Sequence, residues 1–229
     1  MVALSGVYAD DQRAWWGPAQ SGLSDQYLKL EGNHGILLEC AHHSFMVAAT
    51  ALPWESGRAH KEIMAELNRY AMFISITRDH GHGRVEVDAK GESVPFYPLK
   101  DELDIRNLQR GLRECALLHE AAGAERLVAT PNQQLAWWKR GEDLEAYIER
   151  IGGAGAWQAQ QLFSAHQMGS ARMGKDPESS VAKPTGELHD VRGVWIGDTS
   201  AFPTAVGVNP MVTCMSLATR TARLLAAEK

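Results

Sequence analysis

The chain is poor in cysteine, with three in 229 residues: Cys40, Cys115 and Cys214. The number is odd, the spacing is wide and no Cys-x-x-Cys pair occurs, which excludes a disulfide framework and a cysteine zinc site. Reduced thiols that pack as small apolar groups are the expectation. Long hydrophobic runs are missing too, and none approaches the roughly 20 apolar residues of a membrane span. Met1-Val2-Ala3-Leu4 gives way to Gly6 and Asp10-Asp11 rather than to a cleavable leader, so a cytoplasmic location is expected. There is no excess of positive charge: the formal net charge is −5. Without a basic stripe beside its aromatics, the chain lacks the electrostatic footprint of a nucleic-acid binder.

Two chemical motifs are absent as well. No Gly-x-Ser-x-Gly elbow exists, which disfavours a serine hydrolase. No Gly-x-Gly-x-x-Gly strand–turn–helix exists either: Gly81-His82-Gly83 is followed by a period-two strand pattern and reads as a hairpin loop, not a phosphate cradle. His42-His43 and His80-x-His82 have no third ligand at metal spacing, so loop histidines, and no metal, are expected.

Enough remains to bury a core, because 45% of the residues are hydrophobic. Residues 1–50 read as extended and irregular, with a turn at Trp15-Trp16-Gly17-Pro18 and a strand over Gly35–Cys40. Pro53 to Gly57 is a break. A short helix is expected over His60–Tyr70, where Ile63, Met64, Leu67 and Tyr70 share a side. Met72–Thr77 and Arg84–Asp88 read as strands joined in a hairpin across the glycine loop, with Arg78-Asp79 as a local ion pair. Val94–Tyr97 would add the third strand of a meander.

Asp101–Ala122 is the clearest helix, capped by Asp101, carrying Leu103, Leu108, Leu112 and Leu117, and stopped by Gly123. A strand over Arg126–Thr130 and a helix over Gly141–Ile151 follow. Trp15-Trp16 and Trp137-Trp138 read as core or capping residues, with the lining of an apolar cavity as the alternative for either pair. Near residue 160 the composition shifts to Gly, Met, Thr and Val. The expected fold class is α+β: an antiparallel sheet with flanking helices over 1–160, then a different structural role for 161–229.

The chemistry-bearing residues lie in that last part. His166 is a side chain able to cycle a proton near neutrality, since an unperturbed imidazole titrates at about 6.5. Asn209 can donate an amide hydrogen to an oxygen without competing for the proton. Asn209-Pro210 also suits the start of a final helix over 211–226, whose free N–H groups and partial positive charge favour an anion. Each has a plainer alternative: His166 as a surface histidine, Asn209 as a cap alone, Asp198 as a turn acid with Thr199 and Ser200.

His166-Gln-Met-Gly-Ser-Ala-Arg-Met-Gly174, Gly193-Val-Trp-Ile-Gly-Asp198-Thr-Ser-Ala-Phe-Pro203 and Asn209-Pro210 together resemble the C-terminal signature of the glucose–methanol–choline (GMC) flavin oxidoreductases. Ser164-Ala-His-Gln-Met-Gly169 and Phe202-Pro-Thr-Ala-Val-Gly-Val-Asn-Pro210 are most similar to the long-chain alcohol oxidase branch. Trp16-Gly-Pro-Ala-Gln20, Ile76-Thr-Arg-Asp79 with Gly83-Arg-Val85, and Ala121-Ala-Gly-Ala124 fit that branch also.

The resemblance implies FAD as cofactor and an alcohol as substrate. It implies His166 as catalytic acid/base, Asn209 as the second catalytic polar group, and Asp198, Thr199, Asn209, Pro210 and Met211 against the cofactor. Residues 1–160 would be a substrate-binding portion, and 161–229 the C-terminal piece of an α/β FAD-binding domain. The absent glycine-rich motif implies a missing N-terminal half. The alternative is a non-catalytic fragment, or an interaction subunit needing a separate FAD-domain polypeptide.

Overall fold

The computed structural model describes residues 1–52, 55–129, 136–156, 158 and 160–227. Pro53 in the expected break and Thr130 at the end of an expected strand lie outside them. The chain forms two compact units, residues 1–77 with 101–163 and residues 78–100 with 164–229.

The first unit is built on a six-stranded sheet. Its strands are β1 (Val2–Val7), β2 (Leu23–Ser24), β3 (Ile36–Ala41), β4 (Tyr70–Thr77), β7 (Arg126–Ala129) and β8 (Ala136–Lys139). Their order is β2-β3-β4-β1-β7-β8, and every neighbouring pair is antiparallel. The sheet is helix-covered, and the fold is mixed α+β as expected.

The N-terminal segment departs from expectation. Residues 2–7 are not irregular but lie inside the sheet, hydrogen-bonded to β4 on one side and β7 on the other. Ser5 and Gly6 hide this strand by interrupting its apolar alternation. Packing explains the glycine. α3 (Glu102–Ala121) crosses β1 and β4, and its fully buried His119 presses on the Gly6 backbone.

α3 starts where Asp101 accepts from the N–H groups of Leu103 and Asp104, at 3.0 and 3.2 Å. It ends before Gly123, whose φ of +91° is the left-handed conformation typical of a helix stop. Its buried seam runs through Leu108, Gly111, Leu112, Cys115, Ala116 and His119, so Leu103 and Leu117 of the expected stripe flank the contact.

A methyl at Gly6 would sit 2.4 Å from His119 Nδ1, with no flexible chain end to yield. Gly6→Ala is therefore expected to cost about 2–4 kcal/mol, from overpacking and loss of the bond that Nδ1 accepts. Urea titration at neutral pH checks it; a midpoint within error of the parent would contradict the packing.

The alternate register of the sheet carries a second core, with Val7, Tyr70 and Val128 against Ala48, Leu52, Ile63 and Leu67. The helices above it are α1 (Phe45–Ala51), which the sequence reading missed, and α2 (Gly57–Ala65). Ser44 and Ser56 cap them through the N–H groups of Val47 and Ala59. The expected helix over 60–70 stops early, because a 3-10 turn at Leu67–Arg69 redirects the chain and Tyr70 already begins β4. α4 (Leu144–Gly152), capped by Asp143, lies against α3.

In the second unit, β5 (Arg84–Val87) and β6 (Ser93–Phe96) form an isolated antiparallel pair. This corrects the expected meander. β4 cannot pair with β5, since β1 and β3 already occupy both of its edges. Residues 78–83 connect the two sheets instead of closing a hairpin. The rest of the unit is turns, isolated bridges and α5 (Met211–Ala227).

Candidate active site

His166, Asp198, Thr199, Asn209, Pro210 and Met211 all fall in the second unit. The segment after His166 runs beside the Asp198 turn, joined by a ladder of backbone bonds. Gly169 N–H donates to Thr199 O, Ala171 N–H to Ser200 O and Met173 N–H to Ala201 O, at 3.1, 3.0 and 2.9 Å. The Thr199 hydroxyl adds a bond to Gln167 O at 2.8 Å. Gly169 is required here: its φ is +79°, and a Cβ would lie 3.3 Å from Phe202 O. The motifs are thus one piece of structure, though about 30 residues of chain separate them.

Asp198 starts the single turn Thr199–Ala201, and its carboxylate accepts from both the N–H and the hydroxyl of Ser200. The turn-acid role is therefore real, and Asp198 remains exposed at the same time. His166 is half-buried, and among the described residues its ring makes no hydrogen bond. No bond joins it to Asn209 among those residues.

Asn209 is exposed and Pro210 buried at the entry to α5. Pro210 O accepts from Cys214 N–H at 2.7 Å, the first i to i+4 bond of the helix. Met211 and Val212 in its first turn are 69% and 67% exposed. Exposed apolar side chains thus lie at the N-terminal end of α5, where the helix N–H groups and their partial positive charge suit the edge of a flat, electron-accepting ring.

α5 rests on a loop framework. Gly186, at φ +102°, lies against the buried Thr221, and Arg220 donates to Pro184 O at 2.7 Å. Glu187 braces that loop by accepting from Lys183 Nζ at 2.7 Å and Gly193 N–H at 2.9 Å. These two donors, Lys183 first, hold its carboxyl below the usual range.

Sequence reasoning missed Arg78. It follows β4 directly and reaches forward, its Nε–H donating to Ala205 O at 3.3 Å. Only the juxtaposition of distant segments shows this, and no local signal could have found it. Of the paired histidines, His42 Nε2 meets Trp15 O and His43 is buried. Among the described residues, no three His, Cys, Asp or Glu side chains gather as metal ligands. No helix there is long and apolar enough to cross a membrane.

In the second unit the histidine motif is laddered to the acid turn, and comparison with known proteins gives the family. The GMC oxidoreductase profile matches residues 79–218, more than half of the chain. The chain belongs to the GMC oxidoreductases, a family of FAD-dependent flavoproteins. It is 36% identical over 179 residues to long-chain-alcohol oxidase FAO4A of Arabidopsis thaliana, covering 73% of this chain and 23% of that one. An uncharacterized GMC-type oxidoreductase of Mycobacterium tuberculosis, Rv0492c, is 27% identical over 223 residues, covering 94% and 32%.

Among solved structures, formate oxidase of Aspergillus oryzae RIB40 superposes with a TM-score of 0.63 at 13% identity, over 99% of this chain and 46% of that one. Pyridoxine 4-oxidase from Mesorbium loti gives 0.55 at 16%, over 98% and 42%. These two likenesses concern the fold alone. The chain spans about a quarter of the length of the plant oxidases it matches.

Proposed function

We propose that the chain supplies the catalytic C-terminal part of an FAD-dependent alcohol oxidoreductase acting on long-chain primary alcohols. The observation carrying this reading is the ladder that binds the His166 segment to the Asp198 turn, in the same unit as the Asn209-Pro210 entry to α5. Residues 1–160 serve as the substrate-binding portion and 161–229 as the cofactor-facing portion. The long-chain substrate class comes from the plant relatives, which are long-chain-alcohol oxidases.

Bound FAD would supply the two-electron acceptor. Asp198 and Thr199 would meet its dinucleotide part, and the backbone of Asn209, Pro210 and Met211 its ring. The chain's own residues do the rest. His166 takes the hydroxyl proton through a ring nitrogen as the carbinol C–H bond breaks with its electron pair, so that an alcohol becomes an aldehyde. The Asn209 amide donates to the substrate oxygen and keeps it in line. Because the relatives are much longer, the pyrophosphate cradle is assigned to an FAD-binding polypeptide segment outside this sequence.

The test is the visible spectrum of the purified chain with and without added FAD, before and after anaerobic addition of a fatty alcohol. Flavin that co-elutes and bleaches with the alcohol supports the full reading. Flavin taken up and bleached only when a glycine-rich FAD-domain polypeptide is added supports the subunit form. An assembled, flavin-loaded enzyme that no primary alcohol bleaches contradicts the reading.

A further inference from the structure

We propose that Arg78 is a positioning residue, holding in place the irregular segment that delivers Asn209 and Pro210. Its consequence for turnover rests on the proposed function above; its structural basis does not. Residues 203–209 lie between the Thr199–Ala201 turn and α5 and belong to no helix or strand. Such a stretch has no repeating ladder to fix it, so side chains that touch it set its path.

Arg78 touches it twice. The Nε–H bond to Ala205 O ties the backbone four residues before Asn209. Two residues further on, the arginine stem lies flat over the buried Gly207. A Cβ on that glycine would fall 2.7 Å from Arg78 Cβ and 2.9 Å from Cγ and Cδ. Gly207 is also left-handed, with φ +74°. Glycine is therefore needed twice over, to adopt the turn and to admit the stem.

The placement has a chemical consequence. Asn209 is two residues past Gly207, with only Val208 between, and Pro210 fixes the chain direction into α5. A shift of the 205–207 backbone is thus passed directly to the Asn209 amide. Arg78 itself need not meet substrate; it acts through the segment. The two functions of its side chain are separable. Lysine retains the stem over Gly207 but has no N–H at the Nε position, whereas alanine loses both.

Hydrogen exchange followed by mass spectrometry on the full chain tests the proposal without any cofactor. Arg78→Ala is expected to speed exchange of the amides within 204–209 by about ten-fold, and Arg78→Lys by less, because the bond to Ala205 O and the covering stem are lost. The ladder amides of Gly169, Ala171 and Met173 and those of β4 are expected to stay at wild-type rates. Unchanged exchange at 204–209 in Arg78→Ala would overturn the proposal. So would an equal rise across the ladder, since that marks general loosening of the unit.

In the flavin-loaded assembly, Arg78→Ala is expected to lower kcat about ten-fold through misplacement of Asn209, with bound flavin and the acid limb of the pH profile unchanged, and with partial rescue by lysine. Full kcat in Arg78→Ala would also overturn it. If the wild-type assembly oxidises no alcohol, the proposed function fails while the exchange result still decides the role of Arg78.

Discussion

Replacing His166 by alanine is expected to lower kcat of the flavin-loaded enzyme by about two to four orders of magnitude, the usual contribution of a positioned acid/base. The size follows from the chemistry: without a proton acceptor, the alcohol oxygen must keep its proton while its carbon loses a hydride. Cofactor binding and folding should survive the change. The segment is held by its backbone, through Gly169, Ala171 and Met173, and by the Thr199 hydroxyl on Gln167 O. Among the described residues the His166 ring takes no part in that framework. The flavin spectrum and the thermal midpoint of the variant should therefore match the parent.

His189 offers a control from the same unit. Its Nε2 lies 3.1 Å from the Ser180 hydroxyl and 3.2 Å from Gly174 O, so it is engaged in loop structure. His189→Gln is expected to alter stability far more than turnover. Near-normal kcat in His166→Ala would show that the proton leaves by another route. A colourless His166→Ala protein would instead mean that the histidine serves the cofactor.

The residues proposed for the chemistry were readable because they sit in contiguous motifs whose glycines and prolines have local causes. Gly169 must be left-handed, and Pro210 must open a helix. The clearest helix, α3, was readable for the same reason: its cap, Asp101, and its stop, Gly123, directly flank the 20 residues that carry the stripe. What escaped was decided at long range. β1 looks irregular because Gly6 exists to admit His119, a residue 113 positions away. β4 and β5 look like a hairpin because a β-rich run and an alternating segment are joined by a glycine loop, yet β4 has both edges filled by β1 and β3. Arg78 sits next to Asp79 in the sequence, and nothing local announces that its Nε–H also reaches Ala205 O. In each case the deciding contact lies outside any window that periodicity can scan.

Acidification is expected to destabilise the first unit well before its carboxylates are titrated, through His119 and His43. Burial lowers both imidazoles to about 4; for His43 the neighbouring His42 adds to the effect, and for His119 the Leu4 carbonyl partly opposes it. The bonding of His119 shows why its neutral form is needed. Nε2–H donates to Leu4 O at 3.0 Å, which leaves Nδ1 to accept from the Tyr8 hydroxyl at 2.7 Å. A second proton would turn that acceptor into a donor in a fully buried site against the Phe73 ring. His43 is edge-on to Tyr70, and its buried Nδ1 has no partner among the described residues to stabilise a charge.

The sign follows from the depressed values. Unfolded histidine binds its proton near pH 6.5 and the folded forms only near 4, so the unfolded state holds more protons across that window. Stability is full above about 6.5, falls as pH drops, and levels off below about 4. At roughly 1.4 kcal/mol per pH unit, each histidine contributes a loss of about 3 kcal/mol. Urea titrations at pH 7, 6, 5 and 4.5 should show a fall whose slope reflects two protons. His43→Leu should reduce that slope to one proton without disturbing the His119 bonds. A stability flat from pH 7 to 4.5, or a slope indifferent to His43→Leu, would mean that these imidazoles are solvated and that the cores around them are looser than their burial implies.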